Sequence, residues 1–152
     1  MDKLLYVLLP IILVVVALNS NNDLKSKNAC RDGDTKECYV LGEMYISGQG
    51  TGENPKLAVD AYAKACDGNY TDGCFALGKL YSDGDKIEQD NKNAVLYFEK
   101  GCNNSNAKSC SALADMHLSG TGIAQNSVTA KELFDKACEG GDAYGCEDHN
   151  IF

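Results

Sequence analysis

The residues in this chain best suited to chemistry are its eight cysteines, at positions 30, 38, 66, 74, 102, 110, 138 and 146. Seven residues separate the members of each pair, too many for the C-x₂₋₄-C knuckle of a tetrahedral zinc site. Redox catalysis by C-x-x-C is excluded because that motif is absent. A second candidate is Ser105-Asn106-Ala107-Lys108, which matches the Ser-x-x-Lys of serine β-lactamases and penicillin-binding proteins. Its usual Lys-Thr-Gly companion occurs nowhere, and helix capping is the competing role for Ser105. A metallo-lactamase needs several histidines, and the chain has only His117 and His149. Gly48-x-Gly50-x-Gly52 lacks the lysine and the preceding strand of a phosphate cradle. No metal and no cofactor is expected.

The elements that position these residues follow from a period. Successive cysteine pairs stand 36 residues apart with no insertion, and other residues fall into line with them. Leu41, Leu77 and Leu113 coincide, as do Gly42, Gly78 and Ala114. Further columns are Tyr45/Tyr81/His117, Gly48/Gly84/Gly120, Asn54/Asp90/Asn126, Ala58/Ala94/Ala130, Tyr62/Phe98/Phe134 and Lys64/Lys100/Lys136. A period of this size signals a solenoid. Cys38, Leu41, Gly42 and Tyr45 form one stripe of a first helix, and Ala58, Tyr62 and Ala65 one stripe of a second. Glycines at 48–52 turn the chain between them. Asn54, Asp90 and Asn126 are placed to cap the second helices, with Pro55 as a first helical residue.

Leu41-Gly42-x-x-Tyr45, Gly48-x-Gly50 and Ala58-x-x-x-Tyr62-x-Lys64-Ala65-Cys66 resemble the Sel1-like repeat, a relative of the tetratricopeptide repeat. With its cysteine pairs the chain resembles the Helicobacter cysteine-rich protein (Hcp) family over residues 28–148. The resemblance implies an all-α, right-handed α-solenoid of helix-turn-helix repeats stapled by disulfides. Lys86 departs from Gly50 and Gly122, and Ala114 and His117 depart from the third unit's pattern; these changes are mild. Three helix pairs and a truncated cap are expected. Among the 105 pairings that eight cysteines allow, the metric favours Cys30–Cys38, Cys66–Cys74, Cys102–Cys110 and Cys138–Cys146, and the resemblance implies bridges at this spacing too. Members of that family are often described as β-lactamases, so weak β-lactam hydrolysis or binding through Ser105 and Lys108 stands as the alternative to a scaffold.

Residues 4–18 form an unbroken apolar run after Lys3, short of the roughly 20 that a spanning helix needs. With the small or polar residues Ala17, Asn19 and Ser20 closing it, it reads as a signal peptide over 1–20, or else an uncleaved anchor. A linker over 21–29, a repeat domain over 30–148 and a tail over 149–152 follow. An exported chain with an even cysteine count is the usual disulfide framework, which points to the periplasm or secretion. The net charge of −8 repels phosphate backbones and anionic lipid, so nucleic acid is excluded as a partner and membrane is met only through 4–18.

If Leu41 and Tyr45 face the core, Tyr39, Glu43, Phe75, Lys79, Ser111 and Asp115 line the opposite side of the first helices, beside Leu118 and Ser119. In the tetratricopeptide relatives that surface is concave and holds extended peptides, which implies a protein or peptide partner here. Tyr39 and Phe75 are expected to be exposed aromatic contacts. Asp67-Gly68-Asn69-Tyr70-Thr71 is an Asn-x-Thr sequon with an acid two places before the asparagine, making Asn69 a glycosylation candidate in an inter-unit turn.

Overall fold

A computed structural model describes residues 10–11 and 23–148. The signal-peptide reading, apart from Pro10 and Ile11, and the tail with His149 lie outside the described residues. Residues 23–31 are helical and are labelled α1. The chain continues as α2 (Thr35–Ser47), α3 (Pro55–Asp67), α4 (Thr71–Asp83), α5 (Asn91–Asn103), α6 (Ala107–Ser119), α7 (Ser127–Glu139) and the short α8 (Ala143–Asp148). Each helix packs on the next, and first helices also meet directly, α4 with α6 and α6 with α8. This is a solenoid of three helix pairs whose last first helix, α8, is brief.

Caps and turns follow from the repeated polar columns. Asn54, Asp90 and Asn126 accept hydrogen bonds from backbone N–H groups in the first turns of α3, α5 and α7. Such a cap contributes about 1 kcal/mol. The first helices α2, α4 and α6 end at Gly48, Gly84 and Gly120, all left-handed. Lys86 does not take the positive φ of Gly50 and Gly122; its ammonium instead donates to Glu53 of the previous unit at 2.7 Å.

Inside each pair the core is an aromatic ring laid on a small residue. A Cβ added to Gly42 would run into the Tyr62 ring, and one on Gly78 into the Phe98 ring. Glycine there lets the helices approach closely, and in the third unit Ala114 packs beside the fully buried Phe134. Between pairs the four bridges Cys30–Cys38, Cys66–Cys74, Cys102–Cys110 and Cys138–Cys146 tie the end of one second helix to the start of the next first helix, each with Cα atoms 4.6 Å apart.

Of the expected linker at 21–29, residues 23–29 are helical and belong to α1. Cys30 aligns with Cys66, so α1 occupies the register of a second helix, and its Ser26 stands in the column of Tyr62, Phe98 and Phe134. Ser26 is buried and donates to Glu37 at 2.8 Å. Serine replaces the aromatic anchor, and Glu37 supplies it with a polar partner.

Candidate functional site

The geometry that could serve a ligand lies along the first helices. Between α4 and α6 runs a groove of about 650 Å³. Phe75, Phe98, Met116 and Leu118 form its apolar lining, and Lys79, Asp83 and Asp115 its charged rim. Toward α8 a second cavity of about 270 Å³ shares Phe75, Ala112 and Asp115 with it and adds Ser111, Asp142 and Tyr144. Toward α2 a third, of about 210 Å³, brings in Glu43, Ile46 and Tyr62 and again uses Lys79 and Asp83. The three depressions lie side by side along the first helices and share lining residues where they meet, a channel in outline across successive units.

Five of the six expected groove residues line this channel, but Tyr39, Phe75 and Ser111 are less exposed than expected. Tyr39 is half-buried between Tyr62 and Tyr70, with ring centroids 5.8 and 5.4 Å away. It is a packing residue between the second helix of one unit and the turn into the next. Burial, more than the neighbouring Glu43 charge, holds its phenol above the usual tyrosine range. Phe75 is also half-buried, 6.0 Å from the Phe98 ring, yet it keeps one side open to both cavities. Ser111 is buried rather than exposed; its hydroxyl donates to Asp142 at 2.5 Å. Glu43 accepts from the Tyr62 hydroxyl at 2.5 Å, and burial followed by that bond keeps the Tyr62 phenol protonated far beyond neutral pH. Lys79 is exposed and paired with Asp83 at 2.5 Å. Asp115 accepts from the Tyr144 hydroxyl at 3.1 Å.

Helical periodicity missed Phe98, Ala112, Met116 and Tyr144. Phe98 sits in the core column, and only the approach of α5 beneath α4 shows that its ring reaches the groove. Tyr144 belongs to the column of Lys36, Asp72 and Lys108, whose polar members gave no aromatic signal.

Ser105 and Lys108 do not form a catalytic pair. Ser105 is an exposed turn residue at φ +67°, Lys108 is exposed on α6, and no hydrogen bond joins them. The column of Ser105 is Gly33, Asn69 and Gly141, and all four members adopt positive φ. The capping role considered for Ser105 falls to Asn106, whose side chain accepts from the Ser109 N–H at 2.9 Å. Serine is strained in a left-handed turn, so Ser105→Gly is expected to raise stability by about 1 kcal/mol, read as a melting temperature higher by about 3 °C. The same variant should leave any background signal with a chromogenic cephalosporin unchanged. Turnover lost in Ser105→Gly would restore the nucleophile.

His117 is half-buried in the tyrosine column, and its Nδ1 has no hydrogen-bond partner. Among the described residues no three His, Cys, Asp or Glu side chains converge as metal ligands, and no helix is long and apolar enough to cross a membrane. Asn69 is exposed in the left-handed turn enclosed by the Cys66–Cys74 bridge.

A disulfide-stapled helical solenoid with a row of adjoining depressions along its first helices defines a repeat scaffold. The Sel1 repeat model matches residues 38–70, 71–106 and 107–142. The chain belongs to the Sel1 repeat family. A Sel1 repeat protein from Oxalobacter formigenes shares the fold at TM-score 0.76 and 22% identity, over 85% of this chain and 97% of that one. The cysteine-rich protein HcpB of Helicobacter pylori is similar at TM-score 0.64 and 28% identity, over 81% of this chain and 93% of that one. The protective antigen c5321 of uropathogenic Escherichia coli matches at TM-score 0.77 and 26% identity, over 83% of this chain but only 27% of the antigen. Comparison with curated proteins finds no match.

Proposed function

We propose that the protein is an exported scaffold that holds a segment of a protein partner in the channel along its first helices. The observation that carries this reading is the groove between α4 and α6, where the half-buried Phe75 and Leu118, backed by the buried Phe98 and Met116, lie beneath a polar rim. Buried apolar anchors ringed by polar groups are the pattern of binding hot spots. Export is supported by four disulfides, which persist in an oxidising compartment. Acyl transfer is not carried further, because Ser105 lacks a base and serves a turn.

Selection of a random displayed peptide library on the oxidised protein tests the reading. Enriched peptides are expected to lose at least about tenfold in affinity on Phe75→Ala, the cost of one aromatic anchor. Leu57→Ala, on a second helix, should change nothing, and the melting temperature of each variant separates lost binding from lost fold. Peptides that bind Phe75→Ala as well as the parent protein would refute the groove.

A further inference from the structure

We propose that the occupant of the groove is a cationic segment of a partner protein, in which a large apolar side chain stands within one or two residues of an arginine. The inference rests on the groove reading and adds the partner's chemistry.

The apolar cavity between α4 and α6 continues into the smaller one toward α8, and the two share Phe75, Ala112 and Asp115. Their linings differ in kind. The first is floored by Phe75, Phe98, Met116 and Leu118 and fits a large apolar side chain. The second has the rings of Phe75 and Tyr144 on its walls and the carboxylates of Asp115 and Asp142 beside them. Both carboxylates are oriented by hydroxyl donors, Asp115 by Tyr144 at 3.1 Å and Asp142 by Ser111 at 2.5 Å. Ring faces and carboxylates both attract a guanidinium, which stacks on the first and hydrogen-bonds to the second.

Charge along the channel favours the same occupant. Lys79 is already paired with Asp83, and Lys86 with Glu53. Lys108 is exposed at the rim of the second cavity, one cation against two carboxylates. The whole chain carries −8, so its field repels acidic segments and draws basic ones. An extended peptide places neighbouring side chains within reach of adjoining cavities, so one apolar and one basic residue close together would fill both.

The test uses the full oxidised chain and three short capped peptides in a Gly/Ser frame, one bearing Leu and Arg, the others with Arg replaced by Gln or by Glu. By calorimetry the arginine peptide is expected to bind roughly five- to tenfold more tightly than the glutamine one, with the glutamate one weakest. Raising the salt should narrow that gap, and Asp115→Lys should abolish it. Equal affinity for the arginine and glutamine peptides, both lost in Phe75→Ala, would overturn the cationic preference and leave the groove intact. Binding of none of the three, or binding indifferent to Phe75→Ala, would overturn the preference and count against the groove reading itself. A dimer of the unliganded chain that Phe75→Ala dissolves in sedimentation would assign the groove to a second copy and overturn the proposal.

Discussion

Reduction of the four disulfides in non-denaturing buffer is expected to unfold the domain at physiological temperature. Each bridge closes a loop over a sequence separation of 8. In the chain-entropy model such a loop contributes about 2.5 kcal/mol. Four such contributions, an upper figure of about 10 kcal/mol, are as large as the whole stability of an ordinary domain. The bridges are also the joints of the array: each fixes the end of α1, α3, α5 or α7 to the helix that follows. Removing one pair by Cys66→Ala with Cys74→Ala should lower the melting temperature by about 10 °C. Because a solenoid is held together by nearest-neighbour interfaces, loss of this central joint should broaden the transition. Loss of Cys138–Cys146 at the end should lower it without broadening. A fully reduced chain that melts within a few degrees of the oxidised one would show that helix packing alone sustains the fold.

Exchanging the bulk across one inter-pair contact is expected to be costly in halves and mild when complete. A Cβ on Gly73 would lie 2.6 Å from the Ala65 Cβ and 3.0 Å from the Cys66 backbone nitrogen. One unit later the assignment is reversed: Ser109 carries the side chain, and Gly101, in the column of Ala65, gives way to it. At the last joint Gly145 again faces Ala137. Each of these three contacts thus holds one small side chain and one glycine, in either order. Gly73→Ser alone should cost about 2–3 kcal/mol by overpacking against backbone that cannot move. Ala65→Gly alone should cost about 1 kcal/mol in helix propensity. The double variant reproduces the Ser109–Gly101 arrangement, so its cost should fall short of the sum by at least about 1 kcal/mol. Denaturant unfolding of the four proteins measures this coupling, and simple additivity would mean that the two positions do not share one contact.

Much of this architecture was legible in the residues because the period multiplies each weak signal. One Asn before a proline is an unremarkable cap, whereas Asn54, Asp90 and Asn126 in one column locate the second helices. Gly42 and Gly78, lying one unit apart, announced the close approach that Tyr62 and Phe98 now explain. What failed was any inference that assigned a helix only two faces. Tyr39 and Ser111 lie off the stripe of Leu41 and Leu113 but face the next joint, where Tyr70 and Asp142 meet them. A helix in a solenoid packs on three sides, its own partner and both neighbours, and one stripe of residues describes only the first. The same limit hid Phe98 and Met116, which serve the core and the groove at once. α1 was missed because Ser26 stands where the second helices carry Tyr62, Phe98 and Phe134. Ser105 matched a catalytic motif because left-handed turns accept a few small or polar residues, and serine is among those that a motif search notices.

The most direct test is a backbone amide map of the isotope-labelled, oxidised protein titrated with a peptide selected for binding. Groove binding predicts shifts concentrated at Phe75, Lys79, Ala112, Asp115 and Leu118 on α4 and α6, with the amides of α3, α5 and α7 largely still. Shifts gathered on α3, α5 and α7 instead, with α4 and α6 unmoved, would contradict it.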